Sequence, residues 1–302
     1  MIGKLTSPSI IKALLDSLDH RPNKGLGQNY LIDSNILGII VAAAEISSDD
    51  QLLEVGPGLG ALTQVLLATG AKLIAVEKDQ TMVAHLREHF PFDEAQGRQS
   101  LELLEADVLD VNLNELFAGG INKIVANLPY SAGSRFIVNA LEATPLPERM
   151  VFMVQREVAD RLTAQPGGKT FGPLAIWSQL NYAVKNIKNV SPTCFMPAPK
   201  VWSAVVRFEK RAAPLADVQD YERFKKLIKL CFTQRRKQIG TILRTQAKRE
   251  GPRECEAATE GSGNNAPEFF QCLEKCGIDP AARPEQISIE RWVALANAAD
   301  RI

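Results

Sequence analysis

From residue 51 to residue 208 the chain alternates short apolar runs with helical spacing, and this restricts the fold more than any other feature. QLLEV, KLIAV, LELLEA, KIVA and RMVFMV read as strands, interleaved with helical stretches near 61–69, 79–90, 134–143 and 155–164. A helix between two strands carries the chain back to the end of the sheet where the first strand began, so these strands lie parallel with helices on both faces. The last two runs, YAVKNIKNV and VWSAVVRF, are joined by the proline-rich SPTCFMPAPK with no helix between them. That pair is expected to form an antiparallel hairpin at the far edge of the sheet.

Beyond residue 210 the pattern changes. KRAAPLADVQD is a polar linker, and the residues after it carry no strand signal. The stretch 221–246 reads as one amphipathic helix with Phe224, Leu227, Ile228 and Cys231 on one face. Residues 250–267, rich in Gly, Glu and Asn, read as a mobile loop, and 287–300 as a short closing helix. The expected organisation is an α/β domain over 1–212 and a small helical domain over 213–302. At the other end, Ser7-Pro8 followed by Ile10, Ile11, Leu14, Leu15 and Leu18 reads as a capped amphipathic helix rather than a signal peptide. No apolar run reaches the roughly 18–20 residues of a membrane span. The expectation is a cytoplasmic monomer that does not engage a membrane.

The five cysteines are odd in number and irregularly spaced, which argues against a disulfide framework. Cys272 and Cys276 lie one helical turn apart, but a structural zinc needs four ligands and only Cys255 is near them. No metal site is expected.

The chemistry sits at strand ends. Glu54-Val-Gly-Pro-Gly-Leu-Gly60 follows a strand and precedes a helix, where Gly56 and Gly58 let a ligand approach bare backbone amides. Glu77 ends the next strand, positioned to accept from ribose hydroxyls, and Asp107 ends the third. Ligands of such sheets bind at the carboxyl ends of the strands, so the three features converge on a nucleoside-like ligand. Gly56, Gly58 and Ala61 also satisfy the looser dinucleotide pattern, which leaves a nicotinamide dehydrogenase open on the glycines alone. No histidine or lysine stands at a strand end as its proton donor.

Strand four ends in Asn127-Leu128-Pro129-Tyr130. If the ligand is S-adenosylmethionine, the reaction needs only a positioned nucleophile. The amine of adenine is a poor one, because its lone pair is delocalised into the ring. Acceptors at the Asn127 side-chain oxygen and the Leu128 carbonyl would favour a pyramidal nitrogen. Pro129 would brace the loop and Tyr130 would stack on the base, worth about 1–3 kcal/mol. Catalysis would then rest on proximity and alignment. A parallel sheet closed by an edge hairpin is also the Rossmann-like architecture of class I S-adenosylmethionine-dependent methyltransferases.

With these motifs in view, the chain resembles the small-subunit ribosomal RNA adenine N6,N6-dimethyltransferases, and with them the erythromycin-resistance methylases. The likeness runs in order through GLGQNYLID at 25–33, LLEVGPGLGALT at 52–63, AVEKD at 75–79, EAD at 105–107 and ANLPY at 126–130. MVQREVADR at 153–161, PTCFMPAPKVWSAVVRF at 192–208, FTQRRKQIGTIL at 232–243 and RPEQIS at 283–288 continue it. The resemblance implies that Asn29 and Leu31 line the methyl-donor site, with Gln28 closing over it. It implies Gly56 at the methionine portion, Glu77 at the ribose, Asp107 at the cofactor's adenine amino group and Asn127 bordering both ligands. Phe195 matches an aromatic that the family places against the target base; its other reading is a hydrophobic plug in a proline-rich loop. Tyr30 stands where the family usually has Phe, SAGS follows NLPY where N-I-S-T/S is common, and 250–267 is unusual.

Although net charge is zero, the stretch from Arg223 to Arg249 carries basic residues and no acidic one. Arg235, Arg236 and Lys237 are its candidate RNA contacts. The expected activity is methylation of two adjacent adenosines near the 3′ end of small-subunit rRNA during ribosome biogenesis, on the rRNA or the precursor subunit. The alternatives are a large-subunit rRNA methylase conferring antibiotic resistance and a catalysis-independent ribosome-assembly factor on the same fold.

Overall fold

The structure, a computed structural model, describes residues 5–22, 27–90, 101–250 and 266–298. Residues 251–265, which hold Cys255 and most of the expected 250–267 loop, lie outside the described residues, as do Gly25 and Leu26 and the side chains of Lys248 and Arg249. The chain forms two compact units, Met1–Thr163 with Tyr182–Arg211, and Ala164–Asn181 with Ala212–Ile302. The second unit therefore takes a segment from inside the α/β stretch, which a single cut near residue 212 does not include.

In the first unit the parallel strands are β2 (Gln51–Val55), β3 (Lys72–Glu77), β4 (Leu101–Glu105), β5 (Lys123–Asn127) and β6 (Arg149–Gln155). β7 (Tyr182–Val190) and β9 (Ser203–Lys210) complete a seven-stranded sheet in the order β4-β3-β2-β5-β6-β9-β7. β9 runs antiparallel to both neighbours, and with β7 it forms the expected edge hairpin. From β2 the chain winds outward through β3 and β4, then returns to place β5 on β2's other side. The crevice at the carboxyl ends of β2 and β5 is thus the topological switch point, where open α/β sheets bind ligands.

Alternation along the strands explains the two packed faces. Val151 and Met153 of β6 face one way, against Ile36, Leu37 and Ile40 of α2 (Ser34–Ala44) and Leu62 and Leu66 of α3 (Ala61–Leu67). Phe152 faces the other way, edge-on to Phe208 and to Phe136 of α6 (Gly133–Glu142), with ring centroids 5.5 and 6.0 Å away. α4 (Gln80–His89), α5 (Leu113–Ala118) and α7 (Arg156–Leu162) fill the remaining crossovers. Sequence reading missed α2 and α5. α5 shows too few turns for a period, and α2 is so evenly apolar that it has little amphipathic contrast. α1 (Pro8–Ser17) forms where expected, with Pro8 at its first position and Ile11 and Leu15 buried, but the Ser7 side chain makes no capping hydrogen bond.

The second unit is helical. Phe224, Leu227, Ile228 and Cys231 are all buried along α9 (Tyr221–Thr233), against Trp292 and Val293 of α12 (Ile289–Ala298). The expected single helix over 221–246 is two, because α10 (Ile239–Glu250) starts afresh after a turn at Gln234–Gln238. The Ile239 and Gly240 amides, which a continuous helix would use internally, donate instead to Ala282 and Pro280 carbonyls. α8 (Pro173–Asn181) contributes Ala175, Ile176 and Leu180 to the same core, and α11 (Ala266–Lys275) contributes Leu273. Among the described residues no helix is long and apolar enough to cross a membrane.

Candidate active site

A cavity of about 270 Å³ opens at the switch point. Its floor is the turn after β2. Gly56, Gly58 and Gly60 all take positive φ, at 65, 57 and 86°, and the Gly60 amide closes the turn on the Pro57 carbonyl at 3.0 Å. A Cβ at two of these glycines would also crowd a neighbouring ring. A Cβ on Gly58 would stand 3.1 Å from the Tyr30 ring, and one on Gly60 would stand 2.6 Å from Phe90. A Cβ on Gly56 would rest against Pro129 at 3.5 Å, so the glycine turn and NLPY are direct neighbours although far apart in sequence.

Glu77, the last residue of β3, is buried, and its carboxylate accepts from the amides of Gly58 (3.0 Å), Lys78 (2.8 Å) and Asp79 (2.9 Å). Burial pushes its pKa up against the pull of those amides. Three of its roughly four acceptor positions are taken, which leaves capacity for a ligand hydroxyl. Asp107 sits just beyond β4, accepting from the Leu109 amide at 3.0 Å and the Lys78 ammonium at 2.7 Å. The lysine holds its carboxyl below the usual range.

At the rim, Gln28 donates to Asp79 at 2.9 Å and meets the His20 ring at 3.2 Å, while Asn29 donates to the Gly27 carbonyl at 3.1 Å. β1 (Tyr30–Leu31) pairs antiparallel with β8 (Phe195–Met196), so Leu31 lies opposite Phe195. Asn127, the last residue of β5, donates through Nδ2 to the Asn29 carbonyl at 3.3 Å, which leaves its Oδ1 as the acceptor. The Pro129 carbonyl accepts from the amides of Ala132 and Gly133, at 3.2 and 2.9 Å, and so holds the loop against the start of α6. The Tyr130 hydroxyl shares a hydrogen bond with the buried Ser203 hydroxyl, which fixes the ring.

Of the residues expected at a site, Gln28, Asn29, Leu31, Gly56, Gly58, Glu77, Asp107, Asn127, Leu128, Pro129 and Tyr130 all line this cavity. Phe195 does not. It is 3% exposed and packs with Leu31, Leu37, Met153 and Val205, the plug that was its second reading. The three basic candidates in the second unit also separate. Arg235 donates to the Lys169 carbonyl at 2.6 Å and pairs with Glu285 at 3.5 Å, while Arg236 and Lys237 are exposed.

Sequence reasoning passed over two acids. Glu54 lines the cavity 1% exposed and accepts from the Thr63 hydroxyl at 2.7 Å. Burial raises its pKa to about 8. The signal was a carboxylate inside the apolar run QLLEV, where an unpaired charge is costly. Asp79 caps α4, accepting from Thr81 and Met82, while its other oxygen holds Gln28. Its cap role was legible; its hold on Gln28 was not, since the two lie 51 residues apart.

A sheet with this strand order, with an antiparallel strand between the last two and the ligand crevice at the switch, defines the class I methyltransferase fold. Comparison with known proteins narrows the class. The sequence profile of the ribosomal RNA adenine dimethylase family matches residues 19–260. A ribosomal RNA small subunit methyltransferase A of Opitutus terrae is 38% identical over 291 residues, spanning 96% of this chain and 97% of its own. The protein of the same name from Geobacter metallireducens is 36% identical over 281 residues, 92% and 95% of the two chains. The chain belongs to the ribosomal RNA adenine dimethylase family. Among solved structures, a dimethyladenosine transferase from Plasmodium falciparum superposes with a TM-score of 0.72 at 24% identity, over 88% of this chain and 95% of that one, and so shares the fold. The 23S rRNA methyltransferase ErmE superposes at 0.62 with 25% identity, over 90% and 99%.

Proposed function

We propose that the protein transfers methyl groups from S-adenosylmethionine to N6 of two adjacent adenosines near the 3′ end of small-subunit rRNA. The observation that carries this reading is the amide of Asn127. Its nitrogen donates to the Asn29 carbonyl, which orients the amide so that its oxygen serves as the acceptor at a cavity shared with the glycine turn, Glu77 and Asp107. The relatives that span nearly the whole chain at 36–38% identity carry the small-subunit name, which favours that RNA over the large-subunit target of the more distant neighbour.

The cavity fits the donor on two counts. Gly58 leaves bare backbone where any Cβ would meet Tyr30. Glu77 and Asp107 place carboxylates on the lining, which suits a cationic ligand, while Glu54, with its pKa near 8, is mostly protonated at neutral pH and adds little charge. When bound, S-adenosylmethionine supplies the electrophilic methyl group. Glu77 offers its remaining acceptor capacity to the ribose, and Asp107 to the adenine amino group. Gln28, held by Asp79 and His20, covers the site and limits water.

Toward the substrate, Asn127 Oδ1 and the Leu128 carbonyl accept the two hydrogens of the target amine and draw its lone pair out of the ring. The Pro129 carbonyl is taken by Ala132 and Gly133, so Leu128 supplies the loop's acceptor. Tyr130 stacks on the base with its ring fixed through Ser203. The gain comes from alignment, and the released proton passes to solvent without a strong base. An unpaired adenine reaches such a pocket without the cost of opening a duplex. Exposed Arg236 and Lys237 contact phosphates. The protein works as a monomer in the cytoplasm, on the precursor of the small subunit.

The test offers unmethylated small ribosomal subunits and labelled donor, then digests the RNA to nucleosides. Label is expected in N6,N6-dimethyladenosine. Donor binding without label above background sinks the reading, and label in large-subunit RNA alone replaces it with the resistance-methylase one.

A further inference from the structure

One side chain beside the proposed site is left unexplained by folding and by the reaction. Trp202 is 49% exposed and its neighbour Val201 45%, two of the four large hydrophobic residues exposed among those described. A tryptophan can bury roughly 150–250 Å² of largely apolar surface. Leaving half of that in water is not a core role. The backbone under it is nonetheless fixed. The Trp202 carbonyl accepts from the Arg156 amide at 2.8 Å, at the start of α7. The next residue, Ser203, is fully buried and opens β9 opposite Gln155, the last residue of β6. Its hydroxyl is the one that anchors Tyr130. The indole is therefore carried at the carboxyl edge of the sheet, one residue from the anchor of the ring proposed to hold the target base. Exposed Lys200 precedes it in the chain and exposed Arg156 meets its backbone.

We infer that Trp202 is a stacking platform for the unpaired nucleotide next to the target adenine. The inference rests on the methyl-transfer reading of NLPY and adds to it a contact that orients the RNA segment. Each base has a π-face, so an exposed indole accepts any neighbour, and flanking cations suit the phosphates on either side. Sequence-specific RNA readers commonly take splayed, unpaired bases on such rings. A protein partner would instead be expected to meet a broader contiguous apolar patch than these two side chains offer.

The experiment is a double-mutant cycle on binding. The probe is an RNA hairpin whose loop presents two adjacent adenosines, with the nucleotide beside the target either intact or abasic. Wild type is expected to lose on the order of tenfold in affinity when that base is removed, Trp202→Phe to behave alike, and Trp202→Ala to lose almost nothing further. Trp202→Ala should keep the wild-type melting temperature, because the indole is exposed. Equal losses in wild type and Trp202→Ala overturn the inference, as does a wild type that does not bind the hairpin. Unchanged RNA affinity with altered self-association or protein capture overturns it in favour of a protein partner. Methylation of small subunits by wild type is measured alongside. A binding cycle that fails while methylation proceeds removes the platform alone, and coupling without methylation removes the methyl-transfer reading alone.

Discussion

Asn127 does two things with one amide. Its nitrogen ties the end of β5 to the segment before β1, and its oxygen is the proposed acceptor for the substrate amine. Asn127→Ala is expected to lower methyl transfer by at least about a hundredfold, the scale of a lost preorganised polar contact, while donor binding weakens but stays measurable. Single-turnover transfer and donor titration separate the two, and a variant at the wild-type rate would mean that the acceptor is elsewhere. Glu54 is the second residue-scale case. Its pKa stands near 8 in the folded protein against the ordinary 4.5, because burial penalises the charge more than Thr63 relieves it. A carboxyl raised by folding binds its proton more tightly folded than unfolded. Its contribution to stability is full below about pH 4.5 and is lost as pH rises through about 8. Glu54→Gln should therefore gain melting temperature relative to wild type across that window. A difference that does not change with pH would show that the carboxylate ionises in place at no cost. Of these two residues, Asn127 was legible as a strand-end amide. For Glu54 the apolar run around it was the one signal, and its depth was not legible, because that depends on α3 packing over β2.

At the scale of elements, β1 and β8 are only two residues each, yet they bring the QNYL segment against the core. Phe195 is the link, packed among Leu31, Leu37 and Val205. Phe195→Ala is expected to cost about 3–5 kcal/mol of unfolding free energy, the range for a buried phenylalanine. Denaturant unfolding measures it. A variant that keeps wild-type stability but loses turnover would return the ring to a stacking role. Sequence alone held both readings open, since an aromatic in a proline-rich loop looks the same whether it faces a base or a core. The pairing of Leu31 with Phe195, far apart in the chain, decides where the ring points.

At the scale of the molecule, charge has to be read against folded geometry. The basic stretch of the second unit looks uniform in sequence, but its cations have different partners. Lys225 pairs with Glu222 at 2.7 Å and Arg223 with Asp220 at 3.6 Å, using acids just ahead of the stretch. Arg235 is engaged by backbone carbonyls and Glu285. Arg236 and Lys237 are exposed. Replacing both by alanine should weaken rRNA binding and reduce the slope of log affinity against log salt by roughly 1–2, with little change in melting temperature. Arg235→Ala should do the opposite, lowering stability more than the salt slope. If the double variant leaves the slope intact, the RNA contacts are elsewhere.

By itself the sequence determined the alternation that makes a parallel sheet, the edge hairpin, and the strand ends that carry the glycine turn, Glu77, Asp107 and NLPY. These are local properties: a two-residue period, a proline that stops pairing, and glycines that alone take positive φ without strain. Tertiary structure decided that β5 lies beside β2, and so that Pro129 touches the glycine turn. It also buried Phe195, engaged Arg235, and gave residues 164–181 to the second unit. Each of those outcomes depends on contacts between distant segments, and the free energy of such a contact is not written in the neighbours of either residue.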